Sequence, residues 1–441
     1  VKIGSGALLG SQKKPKHRKP PPTQRVVAAG AVGNVLEWFD FALYGYLAQY
    51  IGPLFFPSAD PLSSLLAVYG TFAAGYLARP LGGMVFGHIG DVFGRRYVML
   101  ISIMMMGIST GLIGLLPTVD QVGPLAGVLL IFLRILQGIS VGGEFSGSIA
   151  YLAEHAPEGR RGVFTGMVNV GSISGFILGS ALTTVMASIF TTEQMTGGIW
   201  RYAFLSGLFI MIVGLMLRRS LTLPDYKEPD ERKLDRSPVI VAMRDHWAGM
   251  MAVGALALSP GVCLYIVFVF APAFLSEQLH LAPGLALNLN TLALVVMLIL
   301  IPVGGYLADL LGRRRIILWA GSALFVLSVP LFVLLDHDSS VMIFVAQGTF
   351  AVILGVLYGA NPAFLAEIPP RAVRVSVLSI GYNASLALFA GTAPAMATYL
   401  IQRTDSVVAP ALYMMVFAGM GLVAALKVTR KGKDLVHEKS R

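Results

Sequence analysis

Gly87-His-Ile-Gly-Asp91-Val-Phe-Gly94-Arg95-Arg96 returns later in the chain as Gly305-Tyr-Leu-Ala-Asp309-Leu-Leu-Gly312-Arg313-Arg314. In both copies a loop bounded by glycine and ended by arginine joins two long apolar runs. A second pair follows at a similar interval: Tyr151-Leu-Ala-Glu154 with Arg160 and Arg161, then Phe364-Leu-Ala-Glu367 with Arg371. Two motifs repeated in one register mean that the first half of the chain is duplicated in the second, in the same orientation, with an even number of membrane crossings in each.

The apolar runs around these loops define the solvent. Of 441 residues, 56% are hydrophobic and 13% charged, against about 25% charged in soluble domains; mean hydropathy is +0.74. The runs approach the roughly 20 residues that a bilayer-spanning helix needs. They cover 26–51, 63–87, 97–117, 123–150, 163–190 and 200–219, then 247–275, 284–308, 315–335, 340–366, 373–400 and 408–427. Backbone polar groups in lipid must be satisfied within the segment, so these runs read as helices. The fold class is an all-α membrane protein, twelve transmembrane helices in two six-helix pseudo-symmetric bundles. The expected division is a disordered basic tail (1–25), a first bundle (26–219), a linker (220–246), a second bundle (247–427) and a short tail (428–441).

Lysine and arginine orient the chain. They occupy alternate connections: Lys13 to Lys19, Arg95–Arg96, Arg160–Arg161, Arg218 to Arg244, Arg313 to Arg315, Arg371 with Arg374, and the tail from Lys427. The intervening connections carry almost none, which places both termini in the cytoplasm of a bacterial inner-membrane protein. The net charge of +10 follows from the same pattern, so no nucleic-acid partner is expected. The basic segment 13–22 lacks the apolar core of a cleavable signal and can touch anionic lipid. A single cysteine, Cys263, excludes an internal disulfide or a cysteine metal cluster.

The repeated loop has a physical logic. An Asp at one helix end can accept hydrogen bonds from the free N–H groups of a neighbouring helix N-terminus. The arginines can bridge to acids such as Glu154. Gly87, Asp91, Gly94, Arg95, Glu154, Asp309, Gly312, Arg313 and Glu367 therefore form a candidate conformational latch.

The G-x-x-x-D-x-x-G-R-R loop resembles the signature of the major facilitator superfamily. Arg134-Ile-Leu-Gln137-Gly138-Ile-Ser-Val-Gly-Gly-Glu144 is similar to that superfamily's second motif. Further stretches resemble the metabolite:proton symporter family, which includes osmolyte, α-ketoglutarate, citrate and shikimate transporters. They are Gly33-Asn34-Val-Leu-Glu37-Trp38-Phe39-Asp40-Phe41, Arg79-Pro80-Leu-Gly-Gly, Trp200-Arg201, and Gly381-Tyr382-Asn383 with Gly391-Thr-Ala-Pro394. The resemblance implies alternating access by rocking of the halves around a central site.

Ionisable groups inside a bilayer are costly and are functional candidates by default. Glu37 and Asp40 share one helix face at i, i+3, continued by Tyr44. The two acids desolvate each other and become candidates for taking up and releasing a proton; the alternative is a structural pair with an arginine. Arg134 matches a substrate carboxylate with its planar fork, or it pairs with Asp40 or Glu37. Arg79 reads as snorkelling or paired inside the bundle, Arg201 as an interfacial anchor, and Glu144 as locally paired. Gln137, Tyr265, Tyr358, Asn361, Tyr382 and Asn383 are polar groups in apolar helices, able to contact substrate or to join helices. Asn361-Pro362 is expected to break or kink its span. Gly171, Gly175 and Gly179 form a small-residue series that lets helices approach closely.

No nucleotide loop, nucleophile elbow or HExxH motif is present, so neither catalysis nor a cofactor or metal is expected. The leading reading is proton-coupled uptake of a small organic acid by a monomeric carrier. The alternative is uptake of a zwitterionic osmolyte such as glycine betaine or proline, suggested by similarity around Glu37–Asp40 and Phe55-Phe-Pro57-Ser-Ala-Asp60-Pro61. The short tail after Lys427 lacks the coiled-coil extension of the osmolyte symporter that it otherwise resembles. A non-transporting solute sensor is the third reading.

Overall fold

Apolar runs with internally satisfied backbones become helices throughout the computed structural model, which describes residues 23–82, 85, 95–141, 144–220, 238–370 and 373–438. The helices group into twelve spans, and no strand occurs among the described residues. In the first half these are α1 (Thr23–Tyr46) with α2 (Ala48–Phe55), α3 (Pro61–Leu77), α4 (Arg95–Leu115), α5 (Leu125–Ser140) with α6 (Glu144–His155), α7 (Arg161–Ile189) and α8 (Trp200–Ser220). A short helix, α9 (Pro238–Asp245), precedes the second half. There follow α10 (Trp247–Tyr265) with α11 (Ala271–Gln278), α12 (Pro283–Leu311), α13 (Arg313–Leu335), α14 (Ser340–Glu367), α15 (Arg374–Ser385) with α16 (Ala393–Thr404), and α17 (Ala409–Glu438).

Burial separates central from peripheral spans. The most apolar window of Trp247–Gln278 is 94% buried, whereas that of Thr192–Met216 is 28% buried. The seventh span therefore runs through the protein interior, and the sixth turns Phe209, Ile212 and Met216 outward. Such a face is stable only against lipid. Met104 is likewise exposed, and Met106 is packed inside.

Glycines set the closest approaches. A Cβ on Gly138 would lie 1.8 Å from the Gly75 carbonyl, so α5 and α3 touch backbone to backbone. That contact brings Arg134 alongside α3. Gly175 and Gly179 give α7 the same intimacy with α1, at Val35 and Ala42. Where the halves meet, a Cβ on Gly162 would lie 2.4 Å from the Gly305 carbonyl, so α7 and α12 are in contact at the arginine-rich end.

Of the break or kink expected at Asn361-Pro362, the break does not occur: α14 runs continuously from Ser340 to Glu367 with Pro362 inside it. Proline removes one hydrogen bond from the helix, leaving the carbonyl four residues earlier without its donor. That carbonyl belongs to Tyr358, and Asn169 of α7 supplies a replacement N–H at 2.8 Å. The helix continues because a neighbour repairs it.

Candidate functional site

Two buried ion pairs stand side by side in the first half. Asp40 on α1 meets Arg134 on α5 at 3.4 Å. The Asp40 carboxylate also accepts from Gln137 Nε2 at 2.9 Å and from the Thr110 hydroxyl of α4. Gln137 in turn accepts from Arg134 at 2.8 Å. The Arg134 guanidinium lies over the rings of Tyr44, Phe41 and Phe72, at 4.1, 4.8 and 5.4 Å. Rings, amide and carboxylate together replace the water that a buried cation loses.

Glu37 meets a different arginine. Arg79, just beyond α3 in the apolar span Pro61–Gly82, approaches Glu37 at 3.4 Å and is 1% exposed. Its guanidinium lies over Tyr76, Phe41 and Trp38 at 4.0, 4.6 and 5.5 Å. Of the readings for Arg79, pairing inside the bundle is the one that fits; it does not snorkel. The shared face of Glu37 and Asp40 leads to two separate pairs, one for each acid.

Beside these pairs, between the halves, lies a cavity of ≈ 10 Å³, room for about one water molecule. Its wall includes Trp38, Asn169 and Phe176 from the first half and Tyr265, Tyr358 and Tyr382 from the second. The Tyr265 hydroxyl is in hydrogen-bond contact with that of Tyr76, the ring beneath Arg79. The cavity thus communicates with the Glu37–Arg79 pair through two tyrosines.

Of the residues singled out for substrate contact, Tyr265, Tyr358 and Tyr382 reach this wall. The other five do not. Tyr44 donates to the Val68 carbonyl at 3.2 Å, and Arg134 and Gln137 belong to the Asp40 network. Asn361 donates to the Leu256 carbonyl at 3.0 Å, and Asn383 to Ser379 in its own helix at 3.3 Å. Arg79, Thr110, Trp38, Asn169 and Ser172 were absent from the expected site. Asn169 and Thr110 carried a usable signal, as polar side chains within apolar spans.

Contacts between the halves close both ends. At the arginine-rich end the Asp309 carboxylate accepts from the Gly162 and Val163 amides, at 2.8 and 3.1 Å, on the first turn of α7. Arg313 pairs with Asp309 at 3.2 Å and with Glu367, while Arg374 reaches Glu154 at 3.3 Å. Deeper in, at the cavity wall, Phe145 and Tyr382 stack at 4.6 Å across the halves. Gly87, Asp91, Gly94 and Arg371 lie outside the described residues, as do the side chains of Arg95 and Glu144. At the opposite end Gln402 donates to Asp60 at 3.0 Å, and deeper in, Tyr69 donates to the Val269 carbonyl at 3.3 Å. Arg201 donates to the Gly114 and Leu116 carbonyls at 3.0 and 2.6 Å, capping the end of α4.

Duplicated six-helix halves around a central cavity, closed by contacts at either end, are the build of an alternating carrier. The sequence profile of the Major Facilitator Superfamily matches residues 30–384 and 253–439. The chain belongs to this superfamily. It is a secondary transporter of a small molecule, integral to the membrane. It is 34% identical over 415 residues to the proline/betaine transporter of Escherichia coli K12, covering 91% of this chain and 83% of that one. To the glycine betaine/proline/ectoine/pipecolic acid transporter of Dickeya dadantii it is 34% identical, covering 91% and 82%. Among solved structures, the proton:xylose symporter XylE bound to 6-bromo-6-deoxy-D-glucose superposes with a TM-score of 0.71 at 18% identity, over 92% of this chain and 95% of that one. That likeness concerns the fold.

Proposed function

We propose that this carrier imports a zwitterionic osmolyte of the proline or betaine type together with protons, the second of the two transport readings that the sequence supports. The observation that carries this is the cavity wall, where five aromatic rings and no Lys or Arg surround the space. Aromatic faces are the chemistry that accepts an alkylated ammonium, which a zwitterion of this type carries and a simple carboxylate lacks. Arg134, which favoured the organic-acid reading, is occupied by Asp40 and Gln137. The names of the relatives support the same choice.

In this reading Glu37 takes the proton. Its partner Arg79 lies over Trp38, which lines the cavity, and over Tyr76, which touches Tyr265. Protonating Glu37 leaves the Arg79 cation buried without its partner, and the carboxylate of an arriving zwitterion can take that place while its ammonium rests on the aromatic wall. A zwitterion adds no net charge, so the coupling lies in the pairing. With Glu37 ionised Arg79 is already occupied, and with Glu37 protonated it is free for the solute carboxylate, so each ligand favours the other. The halves then rock, breaking the Asp309 and Glu154 contacts at the cytoplasmic end or the Asp60 contact at the outer end.

The test is uptake by proteoliposomes loaded with a pH-sensitive dye, offered proline, glycine betaine, and mono-, di- and tricarboxylates. Internal acidification with the zwitterions, lost in Glu37→Gln, is the expected result. Acidification with carboxylates only would overturn the substrate class. Uphill uptake driven by a proton gradient in Glu37→Gln would remove Glu37 from the coupling.

A further inference from the structure

Asn169 holds a hydrogen-bond acceptor at the cavity that no described residue uses. Its side chain is 3% exposed and lines the central space. Its Nδ2 donates to the Tyr358 carbonyl at 2.8 Å, the carbonyl that Pro362 deprives of a helical donor. A carbonyl accepts and cannot donate, so this bond fixes which way round the amide sits. The nitrogen is turned to Tyr358, and Oδ1 is left buried with no hydrogen-bond partner.

Three other polar groups of the wall, on Ser172, Tyr265 and Trp38, do not answer it. The Ser172 hydroxyl donates to the Val168 carbonyl in its own helix at 3.2 Å, and the Tyr265 hydroxyl is engaged with Tyr76. The Trp38 indole N–H is also buried without an acceptor. Beside the Tyr358 and Tyr382 hydroxyls, the wall therefore offers a buried unmatched donor and a buried unmatched acceptor among aromatic faces. A zwitterion whose ammonium carries an N–H complements both: its carboxylate accepts from an indole N–H, and its N–H donates to an amide oxygen. A fully N-alkylated zwitterion complements the rings and the donor, and leaves the acceptor unanswered.

We infer that Asn169 is a specificity residue, accepting a hydrogen bond from the substrate ammonium and favouring imino and amino acids over quaternary betaines. This rests on the zwitterion reading above and deepens it. Discrimination by a buried polar group is strong because the wrong ligand strands it, whereas an apolar wall tolerates an extra methyl at small cost.

The experiment is calorimetric titration of the purified carrier with proline, N-methylproline and N,N-dimethylproline, a series that loses its N–H groups one by one at constant ring size. The wild type is expected to bind proline about tenfold or more tightly than the dimethyl compound, the size of one charge-assisted hydrogen bond. In Asn169→Ala the ratio collapses toward one, with proline weakened and N,N-dimethylproline little changed. A purely structural role through Tyr358 would weaken all three ligands alike, and that outcome overturns the inference. Equal affinities across the series in the wild type overturn it too, without any variant having to fold. If none of the three binds, the zwitterion reading falls and the inference falls with it; if all three bind equally, only the inference does.

Discussion

The side-chain amide of Asn361 donates to the carbonyl of Leu256 at 3.0 Å, and Pro260 is the residue that leaves that carbonyl without a helical donor. Asn169 repairs α14 at Tyr358; Asn361 repairs α10 in the same way. A chain of amides thus runs from α7 through α14 to α10, with one proline-freed carbonyl at each step. Replacing Asn361 by Leu strands the Leu256 carbonyl and costs about 1–3 kcal/mol. In a Pro260→Ala background the helix recovers its own N–H, and the same replacement costs clearly less. Thermal unfolding of the four proteins in detergent measures the coupling; equal losses in both backgrounds would break the assignment.

Arg134 and Asp40 form a pair that neither residue survives alone. Arg134→Ala leaves a buried carboxylate with Thr110 and Gln137 only, at a cost of about 3–5 kcal/mol. The double variant Arg134→Leu, Asp40→Leu removes both charges and is expected to be more stable than either single one. Thermal midpoints in detergent compare them. Strict additivity would show that the pair does not act as a unit.

At the arginine-rich end the decisive acceptor is Asp309, on the first-turn amides of α7. Hydrogen bonds to a charged group are worth about 1.5–3 kcal/mol each. Asp309→Ala should therefore raise the open population at this end about tenfold or more. Spin labels at Glu158 and Arg315, both exposed, in a Cys263→Ala background report it as a longer distance component. An unchanged distribution would take Asp309 out of the closure.

Asp60 predicts a pH dependence. The Ser63 hydroxyl, with the Leu62 and Ser63 amides and the Gln402 side chain, holds its carboxyl below the usual 3.8. A depressed value means that the folded state prefers the anion. Its contribution to stability is present in full above 3.8 and is lost as pH falls through the lowered value. Asp60→Ala is expected to lower the thermal midpoint by a constant margin above about pH 5 and by a shrinking one below about pH 4. A margin that widens in acid would reverse the assignment.

The fold was legible because a bilayer makes the problem nearly one-dimensional. Span length, alternating arginine loops and the paired Asp91 and Asp309 motifs each depend on position along the chain alone. Partnerships inside the bundle depend on helix rotation, which spacing does not encode. Glu37 and Asp40 read as one coupled pair, yet Arg79 and Arg134 approach from different helices and divide them. Asn361 read either as a substrate contact or as a group joining helices, and spacing could not choose because its partner carbonyl is made available by Pro260 in another span. Arg134 suggested a carboxylate substrate for the same reason: a buried guanidinium is visible in the sequence, while the rings and amide that occupy it are not.

The small central cavity bears on the energy supply of the cell that carries this protein. A space for about one water, walled by aromatic rings, is too small for a file of water along which protons could hop. In the proposed cycle a proton therefore passes this point only as cargo on a carboxylate while the halves exchange positions. The membrane voltage would then be drawn on once per turnover and not drained between turnovers.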